Sequence, residues 1–336
     1  MSETSAPPSF SAHIVRRAVT LVAIGIVLYA AIAFFADAGK IAGALAVFWW
    51  PALPAAIALT LCNYGLRFAK WQYFLHVVDA EVPARPSLGI FLVGLGMAIT
   101  PGKVGEFFKS HLLREAFGIP MSVSAPIVVA DRLTDLLAML ILALGGLVSR
   151  EGGPALAAAV FAGCLGGIQL LRWRTGAEWA LDILGRAPIL TPRASHLRSL
   201  YESAYLMFAP RPLTLATLLS TIAWFAECLA LAVILYGLGH AASWSLVGAA
   251  TSSYALATLI GAITLLPGGL GAQELSLASL LAFALIGISR EAAAFATILV
   301  RLVTFWFGIA IGLTALGLRL RADRLLATGA VPIAED

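Results

Sequence analysis

The sequence predicts an all-α membrane protein with several spans. Of its 336 residues, 60% are hydrophobic and 12% are charged, whereas soluble domains are about 45–50% apolar and about 25% charged. Residues 18–36, 152–171 and 241–273 contain no charged side chain. Because about 20 apolar residues cross the hydrocarbon core of a bilayer, such runs are long enough to span it. This composition excludes a soluble enzyme, a secreted disulfide scaffold and a disordered chain.

The apolar segments predict about six full spans and two interrupted helix pairs. The first run is longer than the apolar core of a signal peptide, so we interpret it as an uncleaved span. The full spans are expected at about 18–37, 44–66 (bent near Pro51 and Pro54), 121–149, 153–171, 212–239 and 291–318. The interrupted pairs are 87–100 with 103–117, broken at Pro101 and Gly102, and 245–266 with 272–288, broken at Pro267, Gly268 and Gly269.

Basic residues in the loops indicate the orientation of the chain, because cytoplasmic loops are enriched in Lys and Arg. These residues concentrate at 16–17, 67–85, 172–211 and 319–324. All four segments lie on one side if each interrupted pair is a re-entrant hairpin that enters and leaves by the same face. Both termini are then cytoplasmic. The alternative, in which each pair crosses the membrane twice, preserves this orientation.

The two interrupted pairs belong to stretches of similar sequence. Both contain Pro-Gly, then Gly, then Glu, and an Arg follows about ten residues into a later apolar helix. The matching residues are Pro101, Gly102, Gly105, Glu106 and Arg132 in the first stretch, and Pro267, Gly268, Gly271, Glu274 and Arg301 in the second. We therefore predict one domain over residues 1–336, made of a half at about 44–171, a basic connection at 172–211 and a half at about 212–320.

The charge distribution makes the two halves run in opposite directions. Inverted repeats with broken helices that meet near the bilayer midplane are typical of secondary transporters. Backbone groups freed at a helix break are tolerated at membrane depth only where protein or a water-filled cavity satisfies them. The repeat therefore predicts a polar cavity between the halves, with Pro101, Gly102, Gly105, Pro267, Gly268, Gly269 and Gly271 forming the breaks.

Charged residues in the apolar segments are the candidate site residues, because a charge at the bilayer centre costs about 2.5–3.5 kcal/mol. Arg132, Arg301 and Lys103 would bind a phosphate, and the carboxylates would hold these cations when the site is empty. Arg301 has no acidic neighbour close in sequence, so Glu227 and Glu274 are its candidate partners. The full set is Lys103, Glu106, Lys109, Asp131, Arg132, Asp135, Glu227, Glu274 and Arg301.

Two structural interpretations of these charges stay open at this point. Arg132 and Asp135 share a helix face, so they could form an ion pair that locks one helix against another. Lys103, Glu106 and Lys109 could instead be a solvated helix face at the membrane surface.

At these residues the chain resembles the lysylphosphatidylglycerol synthase transmembrane family of flippase-like proteins. The resemblance covers about 15–320 and implies lipid flipping, or an allied lipid-handling role, in the bacterial cytoplasmic membrane. The family usually has Arg where Lys103 stands and Glu where Asp131 stands. The chain shows no aminoacyltransferase domain, so we do not expect it to synthesise lysyl-lipid by itself. The residues that carry the resemblance are 67–71 (Arg-Phe-Ala-Lys-Trp), 101–106, 131–135, 267–274 and 301.

The function predicted from these features is translocation of an anionic or amphipathic lipid, such as a phospholipid, a hopanoid or a lipid-linked precursor. Two alternatives are an intramembrane transferase, with Asp131, Asp135 or Glu274 as its base, and a non-catalytic partner of a lipid-synthesis enzyme. The His and Cys residues are scattered, without metal-ligand spacing, so neither a metal nor another cofactor is expected. The formal charge of +4 gives no indication of nucleic-acid binding.

Overall fold

The computed structural model describes residues 45–147, 194–284 and 288–327, together with isolated positions at 20, 43 and between 155 and 179. The predicted spans at 18–37 and 153–171, and much of the 172–211 connection, lie outside the described residues. The regular elements of the described part are all helical. The α-helices are α1 Ala52–Val77, α2 Ala84–Gly96, α3 Phe108–Phe117, α4 Met121–Leu147, α5 Ala194–Met207, α6 Pro210–Gly237, α7 Trp244–Ile263, α8 Ala272–Ala284, α9 Arg290–Arg301 and α10 Phe307–Ala327.

Several of these helices are long and apolar enough to cross a bilayer. Within the described residues they are α1, α6, α7 and the continuous helical stretch Arg290–Ala322. A further apolar stretch, Ala84–Ile99, is shorter. The 27-residue helix α4 is also apolar, apart from the charged residues in its middle. The chain is therefore a polytopic all-α membrane protein, as the composition predicts.

The first interrupted pair is broken where the sequence predicts it. Helix α2 continues into a 3-10 turn at Met97–Ile99, and a second 3-10 segment, Pro101–Phe107, leads into α3. Between them Thr100 is extended, and its hydroxyl accepts a hydrogen bond from the Gly105 backbone N–H at 2.7 Å. A Cβ at Gly105 would lie 2.6 Å from the Thr100 side chain, so this close approach requires glycine.

The second interrupted pair has the same order of elements. Helix α7 ends at Ile263, a 3-10 turn follows at Pro267–Gly269, and α8 begins at Ala272. Gly268, Gly269 and Gly271 have φ values of 59°, 68° and 84°, a region that residues with a side chain rarely adopt. This turn contacts both 3-10 segments of the first pair. The two breaks therefore lie against each other, whereas the re-entrant or crossing path of each pair stays a prediction.

Arg301 stands at the end of α9, directly before a π-helical turn. The turn covers Leu302–Trp306, and α10 continues from Phe307 without a gap. Single π turns inside α-helices are frequent at functional sites. The sequence predicts this element as one span at 291–318 and does not indicate the π turn.

Helix α1 corrects the prediction for the second span. The sequence predicts a span at 44–66 that is bent near Pro51 and Pro54. Helical residues at 45–47 are followed by an interruption at 48–51, as the bend predicts, but the helix then runs on to Val77. Pro54 lies in its first turn, where the lack of an N–H costs nothing. Arg67 and Lys70, which the charge count treats as loop residues, are buried inside this helix. Their charges are compensated by other helices, so the apolar segment extends well beyond them.

Helix packing joins the two predicted halves. Helix α1 packs against α6, and α4 packs against both α6 and α7, so each contact pairs a helix before residue 171 with one after residue 212. One apolar core forms around α6 and α7, and a second forms around α1, α2 and α3. The inverted repeat itself stays a prediction.

Candidate functional site

A buried ionic network joins α1, α3 and α4 beside the two breaks. Its centre is the ammonium group of Lys70, whose side chain is completely buried. Lys70 Nζ lies 2.7 Å from Asp131 Oδ1 and 2.7 Å from Asp135 Oδ1. It also donates to the Ser220 hydroxyl of α6 at 2.7 Å. One ammonium group thus ties three helices together, which compensates for the cost of burying its charge.

Arg132 lies on the side of the network that faces the breaks. Its Nη2 is 2.8 Å from Glu106 Oε2 and 3.1 Å from Asp131 Oδ2. Its Nη1 is 3.3 Å from Asp135 Oδ2. The ion pair between Arg132 and Asp135 that the sequence suggests is therefore present, but the same guanidinium also joins α4 to the first break. The Arg132 side chain is 23% exposed, which is more than the side chain of any of these three partners.

Lys109 lies in the same network, at the start of α3. Its ammonium group is 3.9 Å from Glu106 Oε2 and 3.9 Å from Asp131 Oδ2, and it lies 4.5 Å from the centre of the Trp71 indole. Glu106 and Lys109 are both only 3% exposed. The interpretation of these residues as a solvated surface face is therefore wrong for both of them. The side chain of Lys103 lies outside the described residues.

Arg301 forms a separate cluster at the second break. Its Nε donates to Glu274 Oε1 at 2.6 Å, which identifies Glu274 as its ionic partner. Its Nη1 donates to Gln273 Oε1 at 3.0 Å, and its Nη2 donates to the Gly268 carbonyl at 2.9 Å. The other carboxylate oxygen of Glu274 accepts from the Gly271 backbone N–H at 2.7 Å. Arg301 and Glu274 thus satisfy backbone groups that the break leaves open.

Glu227, the second candidate partner of Arg301, has a different hydrogen bond. Its Oε2 accepts from the Tyr254 hydroxyl of α7 at 2.7 Å. Both residues are buried, at 4% and 2% exposure. The bond joins α6 to α7, the helix that leads into the second break.

A cavity of about 260 Å³ lies between these two clusters. Its polar wall combines residues that precede residue 171 with residues that follow residue 212. The remaining wall is largely apolar and includes Leu136, Met139 and Leu259. The polar lining residues include Arg67, Glu106, Arg132, Asp135, Glu227, Gln273 and Arg301.

The structure brings the candidate residues into two groups. Glu106, Lys109, Asp131, Arg132 and Asp135 lie in the first network, and Glu274 and Arg301 lie at the second break. Glu227 lines the cavity next to them. Sequence reasoning missed Arg67, Lys70, Trp224 and Tyr254. The cost of intramembrane charge would have indicated Arg67 and Lys70 if the span had been extended past residue 66.

The sequence profile of the family described as "Lysylphosphatidylglycerol synthase TM region" matches residues 22–312. The chain belongs to this family. The match covers every described contact of both charge clusters and both breaks. The resemblance stated from the sequence is confirmed, and the family places the protein among lipid-related membrane proteins.

Two matches to UPF0104 membrane proteins of Methanothermobacter thermautotrophicus agree with this family. One alignment is 26% identical over 321 residues and covers 88% of this chain and 94% of the relative. The other is 34% identical over 95 residues and covers 28% of this chain and 27% of the relative. In that second comparison, the alignment spans about a quarter of the relative's length.

Proposed function

We propose that this family member translocates a lipid across the membrane, with the head group passing through the cavity between the two charge clusters. The observation that carries the proposal is the position of this cavity. Buried ionic side chains from both parts of the chain line it, and both helix breaks meet beside it. Broken helices that meet at a polar cavity are typical of proteins that move a solute across the bilayer.

The head group is the costly part of a lipid to move across the bilayer. A charged or strongly polar group pays a large cost in hydrocarbon, whereas the lipid tails pay none, so only the head group needs a protein path. Arg132 is the most exposed residue of its network and lines the cavity. A head-group phosphate would replace Glu106 and Asp135 as the partner of this guanidinium, whose forked N–H groups fit phosphate oxygens.

The proposal also includes the substrate class, the residues along the path, the membrane and the relation between the two halves. The substrate is an anionic or amphipathic membrane lipid, and the nine candidate residues of the sequence analysis form its path or support it. The protein lies in the cytoplasmic membrane of a bacterium with both termini in the cytoplasm, and its halves are related as an inverted repeat.

The transferase alternative has less support from the contacts. A general base needs a carboxylate that can accept a proton from the substrate. Asp131, Asp135 and Glu274 each have an oxygen within 2.7 Å of a cationic nitrogen. At least one oxygen of each carboxylate is thus paired with a cation instead of facing a substrate proton.

Reconstitution tests the proposal. Vesicles containing phosphatidylglycerol with a fluorescent head-group label are treated with dithionite, which bleaches only the label on the outer face. The wild-type protein should let the inner label move outward and be bleached. The Arg132→Ala/Arg301→Ala double variant should slow this step by about tenfold or more, because charge-assisted contacts to the head group are lost.

Two controls accompany this assay. Arg114→Ala removes an exposed arginine of α3 and should leave the rate unchanged. Arg132→Gln removes one charge while keeping a polar side chain, so it separates loss of the head-group contact from loss of folding, which is checked by gel filtration in detergent. Equal rates for the wild type and the double variant would contradict translocation through this cavity.

A further inference from the structure

Three N–H groups on the cavity wall have no hydrogen-bond partner within the described part of the chain. They are Nε of Arg67, Nε of Arg132 and Nε1 of Trp224. All three side chains line the cavity. The Arg67 guanidinium lies over the Trp224 ring, 5.5 Å from its centre. Because buried polar groups are nearly always paired, three unpaired donors on one wall indicate an acceptor that binds there.

The nearby carboxylate is a poor acceptor for these donors. Asp135 Oδ1 already receives the hydrogen bonds of Lys70 and Ser220. Asp135 Oδ2 lies 3.3 Å from Arg132 Nη1 and 3.8 Å from Arg67 Nη2. It makes no hydrogen bond of acceptable geometry with any described residue. The guanidinium groups of Arg67 and Arg132 therefore both lie near Asp135 Oδ2 without a well-aligned hydrogen bond to it.

The net charge of this wall suits a single negative charge. Among the described residues, the network contains four cations and three carboxylates. The cations are Arg67, Lys70, Lys109 and Arg132, and the carboxylates are Glu106, Asp131 and Asp135. Counted without Glu227, the α6 carboxylate that also lines the cavity and accepts from Tyr254, this network has one positive charge in excess. A phosphodiester carries one negative charge.

Arg301, in contrast to Arg132, is bonded to protein acceptors through all of its guanidinium nitrogens. Each of its guanidinium nitrogens donates to a protein acceptor, namely Glu274, Gln273 and the Gly268 carbonyl. Its side chain is only 4% exposed. The matching arginines of the two halves therefore differ. Arg301 supports the second break, whereas Nε of Arg132 has no hydrogen-bond acceptor within the described residues.

We infer that Arg67, Arg132 and Trp224 form a binding subsite for the phosphodiester of a lipid head group, a refinement that rests on the proposed function. The two arginines supply the charge and a pair of N–H donors, and the indole supplies a third donor from α6. When the phosphodiester binds, it takes the place of Asp135 Oδ2 between the guanidinium groups. Lys70 then holds Asp135 through its other oxygen.

Binding of a short-chain lipid tests the subsite in purified full-length protein. Calorimetry in detergent compares dihexanoyl-phosphatidylglycerol with dihexanoylglycerol, which lacks the phosphate, and with glycerophosphoglycerol, which lacks the tails. Trp224→Phe removes the N–H and keeps an aromatic ring, although a smaller one, beneath Arg67. It should weaken binding of the phospholipid about tenfold and leave dihexanoylglycerol unaffected, because hydrogen bonds to charged groups are the strong ones. Trp244→Phe, at an indole that is 89% exposed, is the matched control.

The outcomes separate the subsite from the proposed function. Unchanged phospholipid binding by Trp224→Phe overturns the subsite, as does an equal loss for both lipids. If glycerophosphoglycerol binds as tightly as the phospholipid, the phosphodiester subsite stands and its ligand is a free solute, which contradicts lipid translocation. If the phospholipid binds through Trp224 but the wild type shows no translocation in vesicles, the subsite stands and the proposed function fails.

Discussion

Lys70 and Asp135 form a buried ion pair between helices α1 and α4, with 2.7 Å between the ammonium nitrogen and Oδ1. The same ammonium group also holds Asp131 at 2.7 Å. An isolated buried charge costs several kcal/mol, and Lys70 is the completely buried cation that both carboxylates share. Lys70 is therefore the residue that lets α4 carry its charged segment next to the cavity.

Replacement of Lys70 should destabilise the protein strongly. Lys70→Met keeps the apolar stem of the side chain but removes the buried ammonium group from Asp131 and Asp135, which leaves Arg132 as the cation near both. We expect the free energy of unfolding to fall by about 3–5 kcal/mol, as it does when one partner of a buried pair is removed. Unfolding of the purified protein in a denaturing detergent, followed by circular dichroism, measures this change.

An exposed ion pair provides the control for Lys70→Met. Arg319 and Glu115 lie 3.6 Å apart, with 28% and 61% of their side chains exposed. Arg319→Met should cost less than about 1 kcal/mol, because surface pairs contribute little. If both substitutions lower stability by a similar small amount, Lys70 does not hold the network.

Gly312 should tolerate no side chain. A Cβ at this position would collide with the backbone of Gly96, so α10 and α2 approach each other at their main chains. Gly312→Ala should lower the free energy of unfolding by about 1–3 kcal/mol, the usual cost of overpacking. Gly317→Ala on the same helix meets no atom within 4 Å and should be neutral or slightly stabilising. Equal stabilities for the two variants would contradict this close packing.

Glu274→Gln should loosen the second break. The change removes the negative charge that faces Arg301 at 2.6 Å, although Gln273 and the Gly268 carbonyl remain as acceptors. We expect a loss of about 3 kcal/mol and faster hydrogen exchange of the amides at 267–275, measured by mass spectrometry. Glu115→Gln, which breaks the exposed pair with Arg319, is the control. Unchanged exchange at the break in Glu274→Gln would show that the Glu274–Arg301 ion pair is not what holds it.

The local features of this protein were predictable from its sequence. Pro101 and Pro267 cannot continue a helix, and the glycines that follow them allow a sharp turn, so both breaks were predicted from the local sequence. That Arg301 has an acidic partner followed from the need of a buried charge for an opposite charge, and Glu274 was one of the two candidates.

The path of α1 could not be predicted in the same way. Hydropathy ends this span at residue 66, because Arg67 and Lys70 resemble the start of a basic loop. Whether such residues are buried depends on their partners, and those of Lys70 are more than 60 residues away on α4 and 150 residues away on α6. The sequence did not indicate Trp224 as a site residue either, because an indole in an apolar span is usually a packing residue.

Blocking the cavity with a bulky label is the most direct test of lipid translocation by this protein. Leu136 lines the cavity and is 41% exposed, whereas Leu218 of α6 is 54% exposed and does not line it. A cysteine is placed at either position in a variant whose Cys62, Cys164 and Cys228 are replaced by serine. After reaction with a bulky maleimide, head-group translocation is measured in vesicles. The labelled Leu136→Cys variant should lose most of its activity and the labelled Leu218→Cys variant should keep it. Full activity of both labelled proteins would contradict passage of the head group through this cavity.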